Sequence, residues 1–174
     1  MPAIRRCTLP EGAFLAAYQA DGSYADCYAT AMAGTVSLEE FVAAFYTTRV
    51  FKLERLLLKW AVSKPSTDAQ AGQLAAGHIT TFAAWQVERR GQDQLLMSDF
   101  QARTRSWFMV APDTAGNHTA TRLYFGSAVV PVTNPRTGKA AMGWVFGALL
   151  GFHELYSVVL LRAAVSRLKA NRNQ

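Results

Sequence analysis

The hydrophobic and polar positions divide the chain into strand-like and helix-like segments. Residues 24–33, YADCYATAMA, combine aromatic and small residues without a helical charge pattern, and they predict a first strand. A helix is predicted to begin after Ser37, because Ser37 and Glu40 have the spacing of a capping box. A second helix is predicted over residues 50–62, where apolar side chains cover more than half of the circumference. Residues 1–22 predict an irregular lead-in.

The middle of the chain carries β signals. Alternation of apolar and polar positions predicts three antiparallel strands, over residues 78–88, 94–110 and 118–132. Turn signals separate them, at residues 90–93 and 112–117. The second strand is long, so we expect it to bend or to carry a bulge. Residues 66–77 are interpreted as a loop or a short helix, because Gly72 and several alanines weaken the helical pattern.

The longest apolar stretch lies near the C-terminus. Ala140–Leu161 is interrupted by His153 and Glu154, and its length is close to the about 20 apolar residues of a membrane span. A buried helix is favoured over a span, because these two residues would lie near mid-bilayer and because the predicted sheet needs a cover for its apolar face. Glycines at four-residue spacing would let such a helix lie close to the sheet: Gly143, Gly147 and Gly151.

Strands clustered between helices predict an α+β fold, with a curved antiparallel sheet wrapped around the long C-terminal helix and two short helices after the first strand. The length of 174 residues fits one domain, residues 1–174, with residues 171–174 as a frayed tail. Hydrophobic residues make up 51% of the chain and charged residues 17%. This composition predicts a folded protein, because disordered chains have few hydrophobic and many charged residues.

The net charge of +6 comes mainly from arginines scattered along the chain. Nucleic-acid-binding proteins concentrate such charge in a patch, so we expect a solvated basic surface and no nucleic-acid partner. Weak contact with a membrane surface and a monomeric or homodimeric state stay open. The N-terminus lacks the apolar run of a signal peptide, because Pro10, Glu11 and Gly12 interrupt it, and a cytoplasmic location is expected.

The two cysteines, Cys7 and Cys27, belong to no CxxC pair and lie far in sequence from the three histidines. This spacing argues against a zinc site, and no metal or other cofactor is predicted. Free thiols are the expectation for a reducing compartment, and a disulfide between the two cysteines stays open.

The predicted order of elements resembles the helix-grip fold of the START-like superfamily, which includes birch-pollen-allergen-like and polyketide cyclase-like proteins. The C-terminal FHELYSVVLLRAAVSRL is similar to the end of a family of uncharacterised bacterial START-like domains, and TRLYFGSAVV has a similar character. The resemblance implies a cavity for a hydrophobic or lipid-like ligand between the sheet and the C-terminal helix. Ligand contacts are then expected from residues on both elements: Trp144, His153, Ser157, Tyr124, Phe100 and Trp85.

Each candidate has a structural alternative. His153 and Glu154 are the candidates for an acid or base, but the structural alternative, in which His153 caps a backbone group or lies at a polar rim, is favoured. For Trp85 and Phe100, packing in the hydrophobic core is favoured over a contact with ligand. Asp99, Arg103 and Arg105 share one face of a predicted strand, and Arg122 lies on the neighbouring predicted strand. Solvent-facing ion pairs are favoured for this set, and an inward anion site is the alternative.

Three functions therefore stay open at the level of sequence. The first is a protein that binds a small hydrophobic ligand without catalysis. The second is a polyketide cyclase- or dehydratase-like enzyme that uses His153 or Glu154, and the third is an interaction module without a cavity. The fold cannot choose among them, because function depends on the site.

Overall fold

The computed structural model describes residues 3–21, 23–52, 66–114, 119–133, 140–141 and 144–172. Residues 132–133, 140–141 and 144–154 are described by their backbone alone. The helices in this part of the chain are α1 (Ala16–Ala20), α2 (Leu38–Tyr46), α3 (Asp68–Ala75) and α4 (Trp144–Arg172). The strands are β1 (Arg5–Arg6), β2 (Tyr24–Ala33), β3 (Thr81–Phe82), β4 (Trp85–Arg90), β5 (Gln94–Asp99), β6 (Thr104–Pro112), β7 (Ala120–Val129), β8 (Val132–Thr133) and β9 (Ala140–Ala141).

The main sheet is antiparallel throughout, in the order β1-β2-β7-β6-β5-β4-β3. Strands β8 and β9 form a separate two-stranded ribbon. Helix α4 packs against α2, β2 and β7, and α2 also contacts α3 and β6. This arrangement confirms the predicted α+β class and the helix-grip layout.

Two local predictions are confirmed in detail. The first predicted strand is β2, with the same bounds as in the prediction. Helix α2 begins with the predicted capping box: the Glu40 amide donates to Ser37 Oγ at 3.1 Å, and the Ser37 amide donates to Glu40 Oε2 at 2.7 Å. Residues 49–52 are helical, and the rest of the predicted second helix lies outside the described residues.

The prediction of one long strand over residues 94–110 is wrong. The chain turns between β5 and β6, and Asp99 Oδ1 closes the turn by accepting from the amides of Arg103 at 2.6 Å and Thr104 at 3.0 Å. Ala102 adopts a positive φ of 56° in this turn. The predicted strand over residues 78–88 is likewise divided, since Ala83 has a φ of 52° between β3 and β4.

The lead-in is more ordered than predicted, because it forms the edge strand β1 and helix α1. Residues 66–77 contain the short helix that was one of the two predicted alternatives: this is α3, which Thr67 caps through a second capping box. Helix α4 continues to Arg172, and residues 173–174 of the predicted frayed tail lie outside the described residues. The Arg172 guanidinium donates to the backbone carbonyls of Ala33 and Thr35, which anchors the end of α4 to the end of β2.

Both faces of the sheet are covered. The inner face packs on the helices through aromatic rings, with the Phe45 centroid 4.8 Å from Phe108 and 4.7 Å from Phe125. The outer face carries a second apolar cluster, in which Leu15 of the lead-in covers Trp107. The two clusters explain why β5 is buried on both sides.

The C-terminal part of α4 completes the inner core. Its buried side chains are Leu160, Leu161, Ala164, Val165 and Leu168. This burial agrees with the expectation of a helix that covers the sheet. Among the residues that the structure describes, none of the helices has both the length and the apolar character for a bilayer crossing.

Candidate functional site

A cavity of about 190 Å³ lies between the inner face of the sheet and helices α2 and α4. Aromatic side chains form much of its wall: Phe45, Tyr46, Phe51, Trp85, Phe125 and Tyr156. Hydroxyl side chains form the polar part: Thr104, Ser106, Ser127 and Ser157. The cavity is therefore mainly apolar, with a few hydrogen-bonding groups, as small-molecule sites usually are.

The register of β6 and β7 explains where this cavity forms. Phe108 lies opposite Phe125, and both rings belong to the filled inner core. Two residues earlier on β6 and two later on β7, Ser106 lies opposite Ser127. Side chains two apart on a strand share a face, so the same face changes from two large rings to two small hydroxymethyl groups. The space that these serines leave open becomes the cavity.

A buried carboxyl group lies beside the cavity wall. Asp26 is 3% exposed and pairs across the sheet with Ser127. Its Oδ1 accepts from the Ser127 hydroxyl at 2.6 Å and from the Ser127 amide at 3.1 Å. Asp26 is not among the site residues predicted from the sequence, although a single acidic residue within the apolar strand YADCYATAMA was a usable signal.

Trp85 contributes a hydrogen-bond donor to the cavity wall. Its indole Nε1 is buried, and no acceptor for it occurs within the described part of the chain. Leaving a buried N–H without an acceptor costs free energy, and native structures usually satisfy such groups. An acceptor on a bound molecule would satisfy Trp85 Nε1.

The structure brings two of the predicted ligand contacts together and separates two others. Trp85 and Ser157, which is 1% exposed, both line the cavity. Tyr124 lies on the outer face beside Trp107, with the ring centroids 6.2 Å apart. Phe100 lies in the β5–β6 turn and is 50% exposed, so it is not part of the cavity wall.

The remaining predicted contacts lie on α4, at Trp144 and His153, as does the second catalytic candidate, Glu154. The side chains of all three lie outside the described residues. Their predicted roles therefore stay predictions. The described side chains contain no cluster of three His, Cys, Asp or Glu residues with the arrangement of a metal site.

Two of the basic residues singled out in the sequence, Arg105 and Arg122, form ion pairs on the outer face. Arg105 Nε lies 2.5 Å from Glu88 Oε2 and donates to the Tyr18 hydroxyl at 2.8 Å, and Arg122 Nη2 lies 2.8 Å from Asp113 Oδ1. Tyr18 belongs to the lead-in, so Arg105 is buried under it rather than facing solvent. These contacts assign the two arginines to ion pairs and not to an inward anion site.

Comparison with known proteins adds little to this description. No family model matches the chain, and no curated protein is similar to it. Among solved structures, the crystal structure of CalU16 from Micromonospora echinospora matches at 14% identity with a TM-score of 0.29. The match covers 98% of this chain and 94% of CalU16. A likeness this distant carries no functional argument.

Proposed function

We propose that this protein binds a small, mainly apolar molecule, with one ring and one hydrogen-bond acceptor, in the cavity between the sheet and α4. The observation that carries the proposal is the buried Trp85 Nε1 donor in the wall of a cavity of about 190 Å³. The site then offers an apolar surface for a ring and one donor that fixes its orientation.

The volume of the cavity sets the size of the ligand. An apolar protein cavity of about 150 Å³ is large enough for benzene, and pockets for drug-sized molecules have about 300–1,000 Å³. A volume of about 190 Å³ therefore suits a single substituted ring. This proposal is narrower than the lipid-like ligand expected from the sequence.

The cavity wall also defines the chemistry of the ligand. Phe45, Tyr46 and Phe51 offer ring edges and faces, which favour an aromatic ligand by about 0.5–1.5 kcal/mol per pair beyond simple burial. Ser106 and Ser157 add hydroxyls that can donate or accept. Arg105 also lines the cavity, but its guanidinium is already paired with Glu88 and Tyr18. A charged ligand is therefore disfavoured, because an ion buried here would lose its hydration without gaining a free opposite charge.

The helix-grip layout supports the same site. The START-like proteins that the sequence resembles hold hydrophobic ligands between the sheet and the C-terminal helix, and the cavity of this chain lies between those two elements. The proposal concerns binding alone. Catalysis by His153 or Glu154 stays a prediction from the sequence.

A pair of matched probes tests the proposal. Acetophenone carries a carbonyl acceptor, and ethylbenzene has nearly the same shape without one. We expect both to bind and acetophenone to bind about fivefold more tightly, which corresponds to one hydrogen bond of about 1 kcal/mol. Ligand-observed NMR titration or calorimetry measures both affinities.

A cavity-filling variant locates the binding site. Ser106→Leu places an isobutyl group in the cavity and should reduce both affinities at least tenfold. Ser166→Leu is the control, because Ser166 lies on α4 outside the cavity wall and its hydroxyl is exposed. Binding of neither probe, or equal binding to the Ser106→Leu variant and the wild type, would overturn the proposal.

A further inference from the structure

The two cysteines meet on the outer face of the sheet, the face opposite to the cavity. The register of the β1–β2 pair continues past Arg6, so Cys7 lies directly opposite Cys27. The Cys7 amide donates to the Cys27 carbonyl at 2.9 Å, and the two Sγ atoms are 3.1 Å apart. Both thiols are free in the structure.

This geometry allows a disulfide with little movement of the backbone. Opposite residues of a hydrogen-bonded antiparallel pair have Cα atoms about 5.5 Å apart, and disulfides favour Cα separations of about 5.5–6 Å. The Sγ atoms need to approach by about 1 Å to reach the S–S bond length of about 2.05 Å. Side-chain rotation can supply a movement of this size.

The two thiols differ in exposure and in acidity. Cys7 is partly exposed, whereas Cys27 is 2% exposed. The hydrogen bond between the two thiols, with a smaller contribution from the Arg122 guanidinium, holds the pKa of Cys7 below its ordinary value. The same hydrogen bond and the burial of the thiol raise the pKa of Cys27. Cys7 is therefore the thiol that reacts first, since the thiolate is the nucleophile.

The surroundings of Cys7 leave room for a small oxidant. Cys7 lines a surface depression of about 430 Å³ together with Arg5, Arg6 and Arg122. Of these three arginines, Arg122, which also pairs with Asp113, favours the thiolate form of Cys7. A peroxide molecule is small enough to reach Cys7 Sγ there.

We propose that Cys7 and Cys27 form a reversible dithiol–disulfide pair that reacts with hydroperoxides. The Cys7 thiolate attacks the terminal oxygen of the hydroperoxide, whose O–O bond breaks, and the alcohol leaves after taking up a proton. The Cys27 thiol then attacks the Cys7 sulfenic acid, forming the S–S bond and releasing water. Two thiols and one hydroperoxide thus give one disulfide, one alcohol and one water, and a dithiol reductant reverses the reaction.

Oxidation would fasten the lead-in to the sheet. The disulfide closes a loop that contains α1, Leu15 and Tyr18, the residues that cover Trp107 and Arg105 on the outer face. Closing a loop of this length restricts the unfolded chain, and the expected rise in Tm is about 5–10 °C.

The experiment uses the reduced full-length protein and one equivalent of hydrogen peroxide. Intact mass spectrometry should show loss of two hydrogen atoms, free-thiol titration should fall from two thiols to none, and dithiothreitol should restore both. The Tm of the oxidised protein should rise by the amount given above. Retention of both thiols, or covalent dimers in place of the oxidised monomer, would overturn the proposal.

Two conservative variants separate the roles of the cysteines. Cys27→Ser should stop at the Cys7 sulfenic acid, which dimedone traps as an adduct on Cys7. Cys7→Ser should give no dimedone adduct, because Cys27 is buried. Equal peroxide reactivity of the two variants would contradict the assignment of Cys7 as the attacking thiol. Their reduced forms should have the far-ultraviolet circular dichroism of the wild type, since serine preserves the shape of the side chain.

Discussion

Asp26 and Ser127 are paired across the two long strands β2 and β7, and one carboxyl oxygen of Asp26 accepts both polar hydrogens of Ser127. Asp26 Oδ1 lies 2.6 Å from the hydroxyl oxygen and 3.1 Å from the amide nitrogen. Both residues are almost fully buried. A buried polar pair of this kind fixes the register of its strands, because a shifted register would leave the carboxyl group without these donors.

We expect Ser127→Ala to destabilise the protein by about 1–3 kcal/mol, because it removes one donor from a buried acceptor. Ser166→Ala is the matched control. The Ser166 hydroxyl is exposed and donates to the Arg162 carbonyl, so its loss should change stability by less than about 0.5 kcal/mol. Urea denaturation monitored by circular dichroism measures both changes. Equal midpoints for the two variants would show that the pair contributes little.

Two tryptophans on opposite faces of the sheet, the buried Trp107 and the partly buried Trp85, make a second comparison. Trp107 Nε1 donates to Gln94 Oε1 at 3.0 Å on the outer face, whereas Trp85 Nε1 has no acceptor within the described part of the chain. Trp107→Phe should therefore cost about 2–4 kcal/mol through lost packing and a lost hydrogen bond. Trp85→Phe should cost less than about 1 kcal/mol, because it removes a donor for which the described residues supply no acceptor.

The same two variants separate stability from binding. Trp85→Phe should abolish the fivefold preference for acetophenone over ethylbenzene, because phenylalanine keeps a ring in the wall and has no donor. Trp107→Phe should keep the preference, measured at a temperature where the variant is folded. If Trp85→Phe still bound acetophenone more tightly than ethylbenzene, the indole N–H of Trp85 would not be the donor to the ligand.

Tyr18 makes the free energy of unfolding depend on pH in the alkaline range. Its hydroxyl donates to Glu88 Oε1 and accepts from Arg105 Nε. Burial, followed by the hydrogen bond to Glu88, raises the pKa of Tyr18 above its ordinary value of 10.0, and Arg105 offsets part of this effect. The folded state thus favours the neutral phenol. This contribution is complete below pH 10 and is lost as the pH rises through the raised pKa.

The measurement compares wild type with Tyr18→Phe by urea denaturation between about pH 8 and pH 11. We expect the stability difference between the two proteins to be constant below about pH 9 and to change against the wild type at higher pH. The comparison cancels other groups that titrate in this range, because both proteins contain them. Parallel stability curves up to pH 11 would contradict the prediction.

Local signals account for the parts of the fold that the sequence predicted well. Strand β2 and the Ser37 capping box follow from residues adjacent in the chain, so their bounds could be predicted without the tertiary structure. The β5–β6 turn was missed because the apolar–polar alternation continues through it. Its cause is the Asp99 side chain, which accepts two backbone hydrogen bonds that an alternation pattern does not show.

The site was harder to predict because it depends on strand register. Ser106 and Ser127 are ordinary polar residues in sequence, and they form a cavity only because β6 and β7 pair in the register that places them opposite each other. The outer face was missed for a similar reason. Leu15 follows no periodic pattern in the lead-in, and its contact with Trp107 joins residues that are far apart in the chain.

Gly126 gives a test of how closely the lead-in packs on the sheet. A Cβ atom at Gly126 would lie 2.7 Å from the Asp26 carbonyl oxygen and 2.9 Å from Leu15 Cδ2. We therefore expect Gly126→Ala to destabilise the protein by about 1–3 kcal/mol, because the neighbouring strand β2 and the lead-in must both move. Displacement of the lead-in should also expose it to limited proteolysis.

Gly72→Ala is the matched control for this substitution. Gly72 lies within α3, and a Cβ atom there would meet no atom within 4 Å. Alanine should therefore stabilise the protein by about 0.5–1 kcal/mol, because it has a higher helix propensity and restricts the unfolded chain. Chemical denaturation of the two variants should give shifts of opposite sign. A stabilising effect of Gly126→Ala would mean that the lead-in does not lie against β7 as described. The Cys7–Cys27 disulfide would then not fasten the lead-in over the outer face of the sheet.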